Sequence, residues 1–238
     1  MKTLGINIDH VLRDSYAQFD KMYRKVFIHN PNLVNMDEGF SYKEYTDEEI
    51  DEIEKKSKAK ELELISLPMS SYDLTNHYKF EKIKDVSGER ILTPKEACEK
   101  FMYDDYPFQI FGSSEEYENA NDAFNKIQAY GFKNKLFNVI LFSSLKTSAI
   151  PSTYAFLSKH HSRARTVMFL EEDHLKWDFC DVLIDAVPES LQSKPKGKKT
   201  IKINQSFNKW DKADYEFDSL YKMYNDKNFF ENDFLKLF

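Results

Sequence analysis

The chain has little cysteine, no long apolar run and no excess of positive charge. Its two cysteines, Cys98 and Cys180, have no metal-ligand neighbours at useful spacing, so we expect packed thiols and a reducing interior rather than a disulfide or a metal centre. No segment approaches the roughly 18 apolar residues of a membrane span. The chain passes from Lys2 directly into a buried-strand pattern, which leaves no room for a signal peptide. These absences predict a cytoplasmic protein with no membrane contact.

The charge balance argues against a nucleic-acid partner. The chain has 34 basic and 40 acidic side chains, well mixed, for a net charge of −6, whereas nucleic-acid surfaces depend on concentrated positive charge. Its richness in Lys, Asn, Ile, Phe and Tyr is typical of an AT-rich genome and suggests a viral source, such as a phage. In that case the expected location is the host cytoplasm or the virion.

Short apolar strands alternate with amphipathic helices along most of the chain. With 41% hydrophobic residues, 238 residues can form one α/β domain with a small inserted domain. Alternating strands and helices favour a parallel sheet covered on both faces. A site in such a fold lies beyond the carboxyl ends of the strands. The strands are predicted at 4–8, 139–142, 166–170, 182–184 and 200–203, and the helices at 115–130 and 152–161.

The segment 34–107 interrupts this alternation and is mostly polar and helical. Thr46 precedes acidic residues and then lysines, which predicts a helix from Thr46 to about Leu64. Thr93 to Glu96 forms a capping box with proline at the first helical position, so a second helix begins there. We therefore predict a core domain at 1–33 and 108–238, a cap-like helical insert at 34–107, and one or two packing helices within 210–238.

Four motifs in order resemble the haloacid dehalogenase (HAD) superfamily. The segment 4–14 resembles its first motif, a buried strand ending in D-x-D-G-[TV]-[LV]-x-D. The segment 137–144 resembles the second motif, an apolar strand ending in Ser or Thr. The segment 153–160 resembles the K-Y-A-W-V-x-K-x helix of the 5′(3′)-deoxyribonucleotidase-like branch, and 180–189 resembles the fourth motif. The resemblance implies a HAD-like Rossmannoid core with a cap that selects the substrate.

The resemblance also implies which residues occupy the site, and two decisive positions depart from the family pattern. Asn7 stands at the position of the aspartate nucleophile, and a neutral carboxamide cannot form an aspartyl-phosphate. Thr153 stands at the position of the lysine that balances the nucleophile's charge. Asp9 keeps the acid–base position, while His10 replaces the family's usual glycine and would crowd the mouth of the site.

The remaining motif residues are partly retained. Ser143, with Ser144, is implied as the phosphate-binding position, and Asp185 is implied as the remaining acid of the fourth motif, whose second acid is replaced by Ala186. Mg²⁺ prefers several anionic oxygens. We therefore expect no cofactor, or at most weak Mg²⁺ binding by Asp185 and the main-chain carbonyl of Asp9. Lys146 or Lys159 could reach into the site in place of the missing lysine, although both are equally explained as solvent-facing.

Three functions follow from this pattern. The first is a catalytically inactive pseudonucleotidase that serves as a binding or structural subunit of a larger, perhaps viral, assembly, so that the balance leans against an enzyme. The alternative is a Mg²⁺-dependent phosphatase on (deoxy)nucleoside monophosphates that uses Asp9 or a metal-bound water as nucleophile. The third is residual nucleotide binding without turnover. For the inactive protein we expect self-association or a protein partner, contacted by the insert or by the aromatic segment 229–238.

Overall fold

The computed structural model describes residues 1–28, 70–80, 83–85, 87–88 and 90–238. The helix predicted at 46–64 lies outside these residues. Within the described ranges, no helix combines the length and the apolar character that crossing a membrane requires. Both cysteines are free thiols and both are buried, as the sequence predicted.

One parallel sheet organises the described residues. Its six strands lie in the order β3-β2-β1-β4-β5-β6, so β1 lies between β2 and β4. Asn7 is in register with Phe142, and Ile6 is in register with Ile184, which brings the carboxyl ends of the three central strands together. The predicted α/β class is confirmed. The strands are β1 Lys2–Asn7, β2 Phe137–Ser143, β3 Val167–Phe169, β4 Val182–Asp185, β5 Lys199–Ile203 and β6 Tyr215–Phe217.

Helices cover the sheet, and several of the α-helices continue into turns of π-helix. The α-helices are α1 Ser15–Tyr23, α2 Pro94–Lys100, α3 Ala120–Lys133, α4 Ile150–Lys159, α5 Pro188–Gln192, α6 Leu220–Asn225 and α7 Lys227–Phe229. Turns of π-helix lie at Arg24–Ile28, Phe101–Asp105, Phe108–Gly112 and Phe230–Phe234. Short 3-10 helices lie at Leu74–Asn76, Thr147–Ala149, Asp173–Asp178, Ser206–Asn208 and Leu235–Leu237. The predicted capping box at the start of α2 is present: Glu96 accepts from the backbone N–H of Thr93, whose hydroxyl caps the helix.

Of the three apolar clusters among the described residues, two are large. The larger one joins the sheet to α3 and to the C-terminal segment, and it includes Leu4 and Ile6 of β1 and Phe124 of α3, all without solvent exposure. Gly5 lets β1 approach its neighbours, because a Cβ at this position would lie 2.5 Å from the ring of Phe142. The second cluster joins α1 to the described part of the predicted insert. The predicted domain boundaries stay a prediction.

The structure corrects two boundaries. One or two packing helices were expected within residues 210–238, but a strand, β6, also lies there, paired to β5. Asp214 fixes that strand, because its carboxylate accepts hydrogen bonds from the backbone of Thr200 and from Lys194. Helix α3 begins at Ala120 rather than at 115, because Glu115 and Tyr117 bond to the backbone after β1.

The aromatic C-terminal segment packs inward. Phe229, Phe230 and Phe234 are buried in the main core, and Leu237 and Phe238 pack against it. The expectation that these rings anchor a partner is therefore wrong for the three buried ones. The structure shows this segment packed on the core of its own chain.

Candidate functional site

The carboxyl ends of the central strands bring the predicted residues together. Asn7 ends β1, Ser143 ends β2, Asp185 ends β4, and Asp9 lies in the turn just after β1. Thr153, on α4, joins them through Arg13. All of these side chains are buried, and Asp9 is the most exposed of them at 7%. Their polar groups therefore depend on one another for hydrogen bonds.

Asn7 links two of the expected metal ligands through its side-chain nitrogen. Its Nδ2 donates to the main-chain oxygen of Asp9 and to Oδ1 of Asp185, each at 2.9 Å. Both partners are acceptors in this arrangement, so the amide nitrogen must face them and the amide oxygen must face away. Among the described residues, Oδ1 of Asn7 is buried without a hydrogen-bond partner.

Asp185 has both carboxylate oxygens engaged. Oδ1 accepts from the backbone N–H of Ala186 at 2.7 Å and of Val187 at 3.0 Å, in addition to Asn7. Oδ2 accepts from the ammonium of Lys176 at 2.8 Å. The carboxylate is fully buried, and these four donors stabilise its charge.

Lys176 is a fully buried ammonium that the sequence interpretation missed. It lies in the 3-10 helix Asp173–Asp178 and forms ion pairs with Asp185 and Asp173. Burial lowers the pKa of Lys176, but the two carboxylates outweigh that effect, and the pKa lies above its ordinary value. The group therefore stays charged at neutral pH.

Arg13 holds Asp9, the predicted acid–base residue, in its ionised form. Its Nε and Nη2 donate to the two oxygens of Asp9, each at 3.0 Å. Burial raises the pKa of Asp9, but the charge and hydrogen bonds of Arg13 outweigh burial, so the pKa lies below its ordinary value. A general acid must carry a proton near the working pH. This pairing opposes that role for Asp9.

The retained hydroxyl groups donate to carboxylates. Ser143 Oγ donates to Asp9 Oδ2 at 3.3 Å, and Ser144 Oγ donates to Asp173 Oδ1 at 2.8 Å. Thr153 Oγ1 accepts from Arg13 at 3.2 Å. As arranged, the two hydroxyls implied to bind phosphate donate to the carboxylates of Asp9 and Asp173 instead.

The expectation that the site had lost its lysine charge is wrong. Lys176 and Arg13 place two cations among Asp9, Asp173 and Asp185. The lysines that were considered as replacements lie elsewhere, because Lys146 pairs with Glu99 and Lys159 pairs with Glu115. The assignment of Thr153 to the lysine position stays a prediction.

The donor set does not fit Mg²⁺ as it is arranged. The two implied ligand atoms, Asp9 O and Asp185 Oδ1, both accept hydrogen bonds from the neutral amide of Asn7. The other oxygen of Asp185 accepts from the ammonium of Lys176. Mg²⁺ needs oxygen lone pairs directed at one point in octahedral geometry, and here an N–H group is directed at that point instead.

A cavity of about 350 Å³ opens beside Asn7 and Asp9. His10 lines it with a left-handed backbone (φ 65°), and its ring contacts Tyr16, Tyr72 and Phe207 at centroid distances of 4.1, 5.8 and 5.1 Å. Burial lowers the pKa of His10 to about 4, so the ring is neutral at pH 7. The expected crowding of the site mouth by His10 takes the form of this aromatic cluster.

The chain matches no protein-family model and no curated protein sequence. Its fold is similar to solved HAD-superfamily hydrolases. One is a dehalogenase with an intermediate complex, at 13% identity and a TM-score of 0.47. Another is the HAD hydrolase YfnB from Bacillus subtilis bound to magnesium, at 12% identity and a TM-score of 0.47. Each aligns over 94% of this chain and 96% of its own.

A HAD phosphatase from Thermococcus onnurineus has 12% identity and a TM-score of 0.43, again over 94% of this chain and 96% of its own. These similarities concern the backbone fold, and we infer no residue roles from them. The assignment to the HAD superfamily and to its deoxyribonucleotidase-like branch therefore rests on the motif resemblance.

Proposed function

We propose that this chain is a catalytically silent HAD-like protein, a pseudonucleotidase retained as a binding or structural subunit. The observation that supports it most is the Asn7 side chain, which offers no nucleophile and whose Nδ2 bonds to both implied metal ligands. Covalent phosphoryl transfer needs an activated nucleophile. In this site the carboxylate considered as an altered nucleophile, that of Asp9, is held by a bidentate arginine.

The charged side chains of the buried network are paired with one another, without a metal or phosphate. Asp9 pairs with Arg13, and Asp185 and Asp173 share Lys176. Breaking a buried ion pair by removing one partner is strongly destabilising, by about 3–5 kcal/mol. A phosphate or a metal entering here would have to displace one of these partners, which supports a structural role for the network.

A second candidate is the Mg²⁺-dependent phosphatase on nucleoside monophosphates with an altered nucleophile. Lys176 favours it, because a buried ammonium beside Asp185 supplies the positive charge that phosphate chemistry needs. Against it, the Asp9 carboxylate would have to leave Arg13 before it could attack phosphorus.

Turnover separates the two candidates. We expect the purified protein to release no phosphate from deoxynucleoside monophosphates or from an aryl phosphate, with Mg²⁺ present. The matched control is Asp9→Ala, which removes the only acid–base position that the motifs retain. A rate of about one per second or more, typical of enzymes, that disappears in Asp9→Ala would overturn the silent interpretation.

The partner of a silent protein stays a prediction. With Phe229, Phe230 and Phe234 buried, the C-terminal segment offers fewer anchors than its sequence suggested, so the insert at 34–107 is the remaining predicted contact. Light scattering of the purified chain tests self-association, and pull-down from its source tests for other subunits.

A further inference from the structure

We propose that the cavity beside Asn7 binds a small planar molecule, neutral or cationic, that donates an N–H hydrogen bond to Asn7 Oδ1. An aromatic amide or amidine has this chemistry. The inference rests on the proposed function, because it requires that the Asn7 side chain serves binding rather than phosphoryl transfer.

Two unpartnered polar atoms belong to residues that line this cavity. Asn7 is 1% exposed and His10 is 2% exposed. Within the described part of the chain, Oδ1 of Asn7 and Nδ1 of His10 are buried side-chain atoms without a hydrogen-bond partner. A buried polar atom without a partner destabilises the protein, because it has lost its hydrogen bonds to water. A ligand that supplies a hydrogen bond to each atom would remove that destabilisation.

The orientation of the Asn7 amide defines what the ligand must offer. Asp9 O and Asp185 Oδ1 fix the amide nitrogen, which leaves Oδ1 available only as an acceptor. The ligand must therefore donate at this point. The neutral ring of His10 is less restrictive, because Nδ1 donates in one tautomer and accepts in the other.

The aromatic side chains that line the cavity favour a flat apolar ligand. Of the nineteen described residues that line it, eight are aromatic or aliphatic, among them Tyr16, Tyr72, Tyr103, Phe111, Leu74 and Met102. Ring contacts with aromatic side chains contribute beyond the area that they bury. At about 350 Å³, the cavity lies at the lower end of the usual ligand-pocket range of about 300–1,000 Å³, so one small ring system is the expected size.

The acceptor atom of Asn7 selects against anions, because most of the charges around the cavity are already paired. Of the described residues that line the cavity, four are carboxylates, Asp9, Asp73, Glu99 and Asp173, and one, Lys95, is a cation. Arg13 and Lys176 are committed to carboxylates. Of the lining carboxylates, Asp9 pairs with Arg13, Asp173 with Lys176 and Glu99 with Lys146. A phosphate or carboxylate ligand would direct lone pairs at Asn7 Oδ1, whereas an amide or amidinium directs an N–H group at it.

Four probes of matched shape test the inference: benzamide, benzamidine, benzoate and phenyl phosphate. We expect benzamide and benzamidine to bind the full chain in calorimetry, and benzoate and phenyl phosphate to bind at least about ten-fold more weakly. Equal or tighter binding of either anion would overturn the inference, as would failure of both benzamide and benzamidine to bind. Turnover of phenyl phosphate would instead contradict the proposed function, so the two failures are distinguishable.

A pair of asparagine variants locates the contact. Asn7→Leu should weaken benzamide binding by about five-fold or more, because one buried hydrogen bond is lost. Asn121→Leu is the matched control: Asn121 is also 1% exposed with an unpartnered Oδ1, yet it does not line the cavity. Equal effects of both variants would contradict the assignment.

The native protein gives an independent measurement in case Asn7→Leu does not fold. A crystal structure with benzamide at saturation should place the amide nitrogen within hydrogen-bond distance of Asn7 Oδ1. Benzamide bound elsewhere, or with its nitrogen turned away from Asn7, would overturn the inference.

Discussion

At the scale of single residues, the side-chain amide of Asn7 organises the site. A carboxylate at this position would need a cation beside it. Asn7 donates two hydrogen bonds where an aspartate would have only lone pairs to offer. Beside it lie Asp9 and Asp185, whose charges Arg13 and Lys176 already offset. An amide at this position therefore makes the network stable without added metal.

The variant Asn7→Asp, which places a carboxylate at this position, tests whether the amide makes the network stable without metal. In Asn7→Asp, two donated hydrogen bonds disappear and a new buried charge lies between two acceptors, so the free energy of unfolding should fall by about 3–5 kcal/mol in EDTA. Millimolar Mg²⁺ should recover part of that loss, because a cation can now bind three converging oxygens. Thermal unfolding with and without Mg²⁺ measures both effects.

Asn121→Asp is the control for that experiment. Asn121 is equally buried and bonds through its side-chain nitrogen to Glu116 at 2.8 Å, so its replacement also brings two acids together. We expect a loss of stability that Mg²⁺ does not recover, since only two carboxylates meet there. If Mg²⁺ leaves the unfolding temperature of Asn7→Asp unchanged, the account of Asn7 as a substitute for a cation is wrong.

The sequence predicted some site residues and missed others for a physical reason. Asn7, Ser143 and Asp185 end strands, and strand ends meet at one edge of a parallel sheet, so their proximity follows from the pattern. Arg13 and Lys176 lie in a turn and a short 3-10 helix, whose directions depend on tertiary contacts. A signal was present, since Lys176 lies in the stretch between two predicted strands, but charged residues there usually face solvent.

At the scale of elements, the 3-10 helix Asp173–Asp178 places the ammonium group of Lys176 in the centre of the fold. Trp177 fixes it by donating from Nε1 to Ser190 O at 2.8 Å, and Lys176 of the same turn reaches Asp185. We expect Lys176→Met to lower the free energy of unfolding by about 3–5 kcal/mol, because two carboxylates then lose their buried counter-charge. Urea denaturation measures the change.

Lys202→Met provides the comparison for that element. Lys202 is buried like Lys176, with a side chain only 2% exposed. Its partner carboxylate belongs to Glu216, whose side chain is 48% exposed. Water can solvate Glu216 after the substitution, so we expect a smaller loss, about 1–3 kcal/mol. Adding Asp185→Asn to Lys176→Met should recover part of the stability, and an equal loss in both lysine variants would contradict a special role for Lys176.

The longer elements were predicted better than the short ones. The apolar runs of β1, β2 and β4 and the capping box of α2 are local signals, and each was found. Strand β6 has three residues and none is fully buried, so its sequence lacks the apolar run that marks a central strand. Its position depends on Asp214 bonding to the backbone of β5, a contact that no local pattern encodes.

At the scale of the whole molecule, the aromatic residues of the C-terminal segment belong to the core. Phe234 has no solvent exposure and its ring lies 5.8 Å from that of Phe137 on β2 and 5.0 Å from that of Phe230. Trp210, in contrast, is 86% exposed. Aromatic content alone suggested an interface, because aromatic residues dominate both cores and interfaces, and only burial separates the two.

The two aromatic residues predict opposite results on substitution. Phe234→Ala should lower the free energy of unfolding by about 3–5 kcal/mol, because a large ring leaves a cavity in a packed core. Trp210→Ala should change it by less than about 0.5 kcal/mol, since an exposed side chain contributes little to folding. Urea denaturation, with light scattering of each variant, measures stability and assembly separately. If Phe234→Ala kept full stability but dissociated an oligomer, the C-terminal ring would be an interface anchor after all, and its place in the core would be wrong.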